Sequence, residues 1–129
     1  MDVVKRSYAA FRRGDIEGWL ETLDSDIEWQ AAREDPDAAL HRGHDGVLRY
    51  LGQWTEAYDG LQVEPREFID GGDRILVWVH ITGRGRASGL DLDMQQAQIA
   101  TVRGGKIVRT DEYFDRAEAL ASMGIESGG

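Results

Sequence analysis

The stretch "RILVWVHITG", residues 74–83, decides the fold because it is the most strand-like run in the chain. The glycine-containing segments "GGD" and "RGRASGLD" precede and follow it. Apolar, β-branched runs bounded by turn residues are typical of strands. The same signals predict three further strands, beginning at "LQVEPREFID" (61–70), "LDMQQAQIATV" (92–102) and "GGKIVRTDEYFD" (104–115). Four consecutive strands joined by short turns predict an antiparallel meander.

Outward from the meander, helical spacing dominates the N-terminal half. Apolar residues at spacings of three and four predict three helices, with faces formed by Val4, Tyr8 and Phe11, by Ile16, Trp19, Leu20 and Leu23, and by Val47, Leu51, Trp54 and Tyr58. Asp15 is expected to cap the second helix, and Asp115 with Glu118 a short last one. A short strand is predicted at "DIEWQ" (26–30) and a polar loop over 33–46. This order indicates one α+β domain over 1–129.

Composition excludes several classes of function. The net charge of −9 argues against nucleic acid, which needs a basic surface. The chain has no cysteine, so disulfides and thiolate sites are excluded. No apolar run is long enough for a membrane span, and we expect a cytoplasmic protein without a membrane partner. His41 and His44 lack a third ligand at suitable spacing, so no metal and no cofactor is expected.

Four stretches carry a resemblance to a known family: "AAFRRGDIEGWLETLDSDIEW", "HRGHDGVLRYL", "EFIDGGDRILVWV" and "GGKIVRTDEYFDRAEALASMG". In that order they resemble a SnoaL-like protein of the nuclear transport factor 2-like (NTF2-like) superfamily, which includes ketosteroid isomerases, limonene-epoxide hydrolases and polyketide cyclases. The resemblance implies a cone-shaped fold, in which a bent antiparallel sheet wraps around three main helices and leaves a deep pocket. It also implies a homodimer and a small apolar organic ligand.

The resemblance does not bring a complete set of catalytic residues with it. The arginine and aspartate of the epoxide hydrolases fall on Trp78 and His80, and only their last-strand acid is matched, by Glu112. The base of the isomerases falls near Trp29. Their third-strand acid falls around residues 96–98. Neither of these two reactions is therefore expected.

Asp111 and Glu112 are adjacent in the last predicted strand, so they must point to opposite faces of the sheet. Strict alternation places Ile107 and Arg109 with Asp111, and Thr110 with Glu112. The second set carries less charge and is expected to be the buried one. The family register agrees, so the sequence predicts that Glu112 faces the pocket and that Arg109 partners Asp111 outside it.

A carboxyl group in an apolar pocket can exchange protons, and histidine titrates near neutrality. The family register therefore predicts Glu112 and His80 as the catalytic pair. It predicts a substrate-binding wall made of Trp29, Trp54, Trp78, Met94, Gln96, Gln98 and Thr110. A competing interpretation treats the apolar alternation of Ile75, Val77, Val79 and Ile81 as the core face, which would leave Trp78 and His80 on a dimer surface.

Three functions remain open at this stage. The first is an enzyme of lyase, isomerase, cyclase or hydrolase type that acts on a small apolar substrate. The second is a ligand-binding protein with the same pocket and no turnover. The third is a dimeric assembly domain. The fold alone does not choose among them, because one fold carries many activities.

Overall fold

A computed structural model describes residues 1–33 and 39–124 of the chain. The helices are α1 (Asp2–Arg12), α2 (Ile16–Glu21), α3 (Gly43–Ala57) and α4 (Arg116–Ser122). The strands are β1 (Leu23–Gln30), β2 (Leu40–Arg42), β3 (Tyr58–Asp70), β4 (Arg74–Gly85), β5 (Asp91–Arg103) and β6 (Lys106–Tyr113). No helix within the described ranges is long and apolar enough to cross a membrane.

The strands form one sheet in the order β2-β1-β6-β5-β4-β3. The predicted meander of β3 to β6 is confirmed, and β3 lies at an edge, as Pro65 indicates. One junction differs from a purely antiparallel sheet, because β1 pairs with β6 in parallel. Strand β2 pairs with β1 inside the segment expected to be a polar loop. The sequence did not predict β2, because a strand of three residues is too short to show an alternation of polar and apolar side chains.

The two faces of the sheet are covered by different helices. On the face that we call inner, Ile75, Val77 and Val79 are completely buried in one cluster with Val4 of α1 and Val47 of α3. On the opposite, outer face, Leu76, Ala97 and Ile99 cluster with Ala119 and Leu120 of α4. The alternative interpretation of β4 is therefore confirmed in its first part, because the apolar row faces the core. Its second part, a dimer surface that includes Trp78 and His80, remains a prediction.

A β-bulge in β6 sets the inner face of that strand. Thr101 pairs with Arg109, but the next pair joins Val102 to Ile107, so Val108 is an extra residue. The bulge turns Ile107 into the inner cluster, where it is 3% exposed. Strict alternation had placed Ile107 on the same face as Arg109. That part of the prediction is wrong, because alternation does not hold across a bulge.

The predicted Asp15 cap and the Asp115 half of the predicted capping box are confirmed, whereas the Glu118 carboxylate accepts a hydrogen bond from Arg33 Nη2 at 2.9 Å instead. The Asp15 carboxylate accepts a hydrogen bond from the Gly18 backbone N–H at 2.9 Å, at the start of α2. The Asp115 carboxylate accepts from the Glu118 N–H at 3.1 Å, at the start of α4. Each cap satisfies a backbone donor that has no partner within its own helix. The first cap fixes the start of α2 directly after α1, and the second fixes the start of α4 directly after β6.

Candidate functional site

A cavity of about 80 Å³ lies between the inner face of the sheet and helices α1 to α3. Its walls are mainly aromatic and aliphatic, and a few polar side chains converge on it. This composition is typical of a small-molecule site. The lining residues are Ser7, Tyr8, Phe11, Trp19, Leu23, Trp29, Val47, Tyr50, Leu51, Trp54, Leu61, Val63, Ile81, Gln96, Gln98, Ala100, Ile107, Thr110 and Glu112.

Glu112 is the acidic residue of the cavity wall, and it is 7% exposed. Its Oε2 accepts a hydrogen bond from Trp29 Nε1 at 2.8 Å, and its Oε1 accepts from the Tyr50 hydroxyl at 2.7 Å. Trp29 belongs to β1 and Tyr50 to α3, so three separate elements position the carboxyl group. Both donors stabilise the ionised carboxylate, whereas burial opposes ionisation. The prediction that Glu112 and not Asp111 faces inward is confirmed.

A second polar group consists of Tyr8, Gln98 and Gln96, and we call it the amide chain. The Tyr8 hydroxyl donates to Gln98 Oε1, and Gln98 Nε2 donates to Gln96 Oε1 at 2.9 Å. Gln96 is 1% exposed and Gln98 is 6% exposed. Burial, and then the negative charge of Glu112, raise the pKa of Tyr8 well above its ordinary value. The hydroxyl therefore keeps its proton and acts as a hydrogen-bond donor.

The structure brings six of the nine predicted site residues to this cavity: Trp29, Trp54, Gln96, Gln98, Thr110 and Glu112. Cross-strand pairing explains the agreement on β5 and β6. Gln98 pairs directly with Glu112, and Trp29 pairs with Thr110. Directly paired residues point to the same face of a sheet, so these side chains share one wall. Their roles toward a ligand remain predictions.

His80 and Trp78 are not in the cavity, and the predicted Glu112–His80 pair does not form. His80 lies on the outer face, with Nε2 2.6 Å from Asp93 Oδ1 and Nδ1 3.1 Å from the Arg66 guanidinium. Trp78 donates to Gln95 Oε1 at 2.9 Å on the same face. Trp78 and His80 lie on the outer face because Ile75, Val77 and Val79, which alternate with them along β4, are buried on the inner face.

Met94 faces inward but does not line the cavity. It pairs directly with Ile81 and packs against the main core cluster while remaining partly exposed. The predicted alternation of β5 is therefore correct at this residue. The predicted contact is wrong, because the cavity is bounded on β5 by Gln96, Gln98 and Ala100 instead.

Two tyrosines were missed as site residues by the sequence analysis. Tyr8 was assigned to a helix face, although it lies one residue from Ser7, near which the family register places the helical tyrosine donor of the isomerases. Tyr50 was not assigned at all. The signal for Tyr50 is its spacing, because it lies three residues after Val47 and four before Trp54. That spacing places all three on one face of α3. Nothing in the sequence indicates that the Tyr50 hydroxyl reaches Glu112, which lies 62 residues away along the chain.

The arrangement offers two kinds of polar contact to a molecule inside the cavity. Glu112 can accept a proton or a hydrogen bond, and the amide chain can donate. Within residues 1–33 and 39–124, no group of three histidine, cysteine, aspartate or glutamate side chains is arranged to bind a metal ion. His44 instead lies with Nε2 3.0 Å from the Leu23 carbonyl oxygen, and His41 stacks on Tyr50.

Comparison with known proteins agrees with this architecture. An uncharacterized protein of Mycobacterium tuberculosis is 32% identical over 124 residues, which cover 95% of this chain and 94% of that protein. A solved NTF2-like protein from Burkholderia xenovorans is 35% identical, with a TM-score of 0.74 and coverage of 95% and 92%. TerC, co-crystallized with polyporic acid, is 28% identical, with a TM-score of 0.77 and coverage of 95% and 96%.

These similarities confirm the predicted NTF2-like fold. The model of the SnoaL-like domain matches residues 4–110, which include α1 to α3, β1 to β5 and most of the inner wall of the cavity. The matched region ends at Thr110, two residues before Glu112. The chain therefore belongs to the SnoaL-like family.

Proposed function

We propose that this protein binds a small, largely apolar organic molecule in the inner cavity, and that Glu112 is the acid/base group that acts on it. The observation that carries the proposal is the buried Glu112 carboxyl group, held by Trp29 and Tyr50 in the wall of an aromatic cavity. A molecule that fills this cavity meets one acidic side chain and a mainly apolar surface.

The geometry favours proton transfer over nucleophilic attack by a hydroxyl or thiol. The two donors reach Glu112 from different sides, so its carboxyl group has a fixed orientation in the wall. A carboxylate with a fixed orientation in a mainly apolar wall can accept a proton from a molecule held against it, because few other polar side chains compete for its charge. The first step would be removal of a proton from an acidic C–H or O–H of the substrate. Lyases, isomerases and cyclases share such a step.

The comparisons support a small-molecule ligand for this fold. TerC was co-crystallized with polyporic acid, and the two chains cover 95% and 96% of each other. We carry over from TerC only the expectation of an organic ligand, and not the identity of that ligand. The residues that would contact it here are those of the aromatic cavity.

Ligand binding without turnover is the second candidate, and the position of His80 favours it. An acid/base reaction often uses a second titratable group, and histidine is the commonest one. Among the cavity-lining residues in the described part of the chain, none is a histidine, and the nearest acidic neighbour of Glu112 in sequence, Asp111, faces outward. In this case Glu112 would serve to recognise a hydrogen-bond donor on the ligand.

A thermal-shift screen of small aromatic and alicyclic compounds, followed by assays of the hits for conversion, tests both candidates. We expect hits to raise the melting temperature, because a ligand that binds only the folded state stabilises it. Under acid/base chemistry, Glu112→Gln abolishes conversion, whereas the matched control Asp111→Asn retains it. Conversion that survives Glu112→Gln would overturn the catalytic role. Compounds that bind both the wild-type protein and Glu112→Gln, and that neither protein converts, would establish the binding function.

We also propose that the protein forms a homodimer through the outer face of the sheet. The half-buried Trp78 supports this, since it lies on that face beside Arg116, whose guanidinium carbon is 5.3 Å from the ring centre. The apolar row of β4 is not part of this surface, because that row lies inside the chain. Sedimentation at micromolar concentration tests the proposal, and a monomer there would overturn it.

A further inference from the structure

In the amide chain, each hydrogen bond is donated in the same direction, starting from the Tyr8 hydroxyl. A glutamine side chain can present either its oxygen or its NH₂ group to a given neighbour. Burial, and then the charge of Glu112, raise the pKa of Tyr8, so its hydroxyl keeps a proton to donate. Within the described residues this hydroxyl makes one hydrogen bond, to Gln98 Oε1. The reverse orientation of Gln98 would leave the hydroxyl proton without that acceptor.

The orientation of Gln98 then fixes that of Gln96. With its Oε1 directed to Tyr8, Gln98 has its Nε2 directed to Gln96, and Gln96 must offer its oxygen at 2.9 Å. The Nε2 of Gln96 is left at the end of the chain. Among residues 1–33 and 39–124 it has no hydrogen-bond partner, although Gln96 is 1% exposed and lines the cavity.

We propose that Tyr8 is a positioning residue that makes this part of the cavity wall a hydrogen-bond donor, so that the site selects ligands carrying a carbonyl-type acceptor opposite Gln96. The inference rests on the proposed function, because it requires that a ligand occupies the cavity. It does not depend on a catalytic role of Glu112, whose carboxylate is held by Trp29 and Tyr50 and not by the amide chain. Without the Tyr8 hydroxyl, the side-chain amides of Gln98 and Gln96 can both turn over, and Gln96 can then present either its NH₂ group or its oxygen to a ligand.

Acetophenone and α-methylstyrene form a probe pair that isolates this contact. The two molecules have nearly the same shape, but only acetophenone carries an acceptor, and neither carries a donor for Glu112. One hydrogen bond that replaces an unpartnered donor is expected to make the wild-type protein bind acetophenone about fivefold more tightly. Dissociation constants are measured by titration followed in two-dimensional NMR. The Gln96 side-chain NH₂ resonances should shift with acetophenone and not with α-methylstyrene.

The variant Tyr8→Phe should reduce the affinity ratio from about fivefold toward one, as should Gln96→Met, which removes the donor itself. Tyr58→Phe is the matched control, because it deletes the hydroxyl of a tyrosine that stacks on Trp54 but does not line the cavity, and it should keep the ratio. Because each readout is a ratio within one variant, a general loss of stability does not mimic the effect. If Tyr8→Phe does not fold, the affinity ratio of Gln96→Met and the shifts of the Gln96 NH₂ resonances in the wild-type protein still test the inference.

Two results would overturn the inference. Equal binding of both probes by the wild-type protein would show that the wall does not discriminate, while the ligand-binding function would stand. A ratio that persists in Tyr8→Phe or in Gln96→Met would show that another group selects the acceptor. Failure of the folded wild-type protein to bind either probe would count against the proposed function itself, and the inference would fall with it.

Discussion

Glu112 and His80 lie in neighbouring parts of one sheet and have opposite environments. Glu112 is on the inner face, is 7% exposed, and is held by the two aromatic donors Trp29 and Tyr50. His80 is on the outer face, with 23% of its side chain exposed, between Asp93 and Arg66. Both are residues that catalysis commonly uses. The difference shows that the burial of the surrounding strand, and not residue type, decides which of them can meet a ligand.

The surroundings of the two residues explain the difference physically. Glu112 has apolar neighbours and therefore depends on its few donors, because no bulk water compensates for a lost hydrogen bond. The contacts of His80 are made at the surface, where water can replace a lost partner at little cost. A substitution that removes a side-chain contact should therefore lower the free energy of unfolding by a large amount on the inner face and by a small amount on the outer face.

The largest expected effect comes from the apolar row that keeps His80 outside. Ile75→Ala removes a fully buried side chain from the inner cluster. It should lower the free energy of unfolding by about 2–5 kcal/mol, as other isoleucine-to-alanine changes in cores do. His80→Ala, five residues along the same strand, should cost about 1 kcal/mol or less. Urea denaturation measures both, and equal losses would show that the faces of β4 are assigned wrongly.

The next largest effect is expected at Glu112 itself. In Glu112→Gln one of the two donors, Trp29 Nε1 or the Tyr50 hydroxyl, must face an NH₂ group instead of an oxygen. The buried donor without an acceptor should lower the free energy of unfolding by about 1–3 kcal/mol. Chemical denaturation at pH 7 measures this.

A double-mutant cycle with Tyr50→Phe sharpens the test of the inner site. The two changes act on one hydrogen bond, so their costs should fall short of additivity by about 0.5–3 kcal/mol. The cycle of Glu112→Gln with the outer-face change His80→Ala should be additive within about 0.5 kcal/mol. Additivity in the first cycle would contradict the contact between Tyr50 and Glu112.

A pH-dependent effect is expected from Tyr8. Because burial raises the pKa of Tyr8 above its ordinary value near 10, the folded protein retains the hydroxyl proton where the unfolded chain loses it. The stabilisation from Tyr8 is complete below about pH 10 and declines as pH rises further, by up to about 1.4 kcal/mol per pH unit. The stability difference between wild type and Tyr8→Phe, followed by urea denaturation, should therefore shrink above about pH 10.

The matched control for the pH experiment is Tyr58→Phe, which changes a half-buried tyrosine stacked on Trp54. The stability difference of Tyr8→Phe should change more steeply with pH than that of Tyr58→Phe. A Tyr8→Phe difference that stays constant above about pH 10 would contradict a buried, protonated Tyr8 in the amide chain.

Much of the fold was predictable from the sequence because its signals are local. Turn residues and apolar runs located the meander, and the two aspartate caps located the starts of α2 and α4. Strand β2 and the parallel pairing of β1 with β6 were not predicted. A three-residue strand has no periodicity, and the pairing of β1 with β6 joins segments about 80 residues apart, which no local pattern reports.

The face on which a side chain lies was predicted correctly where alternation and strand pairing agree, and wrongly where the family register and the alternation conflict. The roles of the site residues toward a ligand remain predictions. Gln98 shares the inner wall with Glu112 because the two residues pair directly across β5 and β6, as Ala100 pairs with Thr110. Gln96 pairs with the inward-facing Val79 of β4 and so lies on the same wall. His80 was assigned by family register against the apolar alternation of its own strand, and the alternation proved to be the better guide. The contacts of Tyr50 and Tyr8 could not be predicted, because they depend on how the helices pack on the sheet.

The smallest effect is expected at Asp111, the neighbour of Glu112 that faces outward. Arg109 donates to both Asp111 oxygens, with Nε at 3.0 Å and Nη2 at 2.9 Å, and also to Glu28 Oε1 at 3.4 Å. The hydrogen bond to Asp111 raises the pKa of Arg109, so the guanidinium remains charged. The side chains are 37% and 23% exposed, so solvent screens their attraction and Asp111→Asn should cost about 1 kcal/mol or less.

Salt and ligand binding separate this outer pair from Glu112. The cost of Asp111→Asn should fall further in about 1 M salt, which screens exposed charges, whereas the cost of Glu112→Gln should change little. Hits from the ligand screen should bind Asp111→Asn as they bind wild type, since the Asp111 carboxylate is engaged by Arg109 away from the cavity wall. A loss of about 3 kcal/mol, or a loss of ligand binding, in Asp111→Asn would mean that the two adjacent acids do not occupy separate environments.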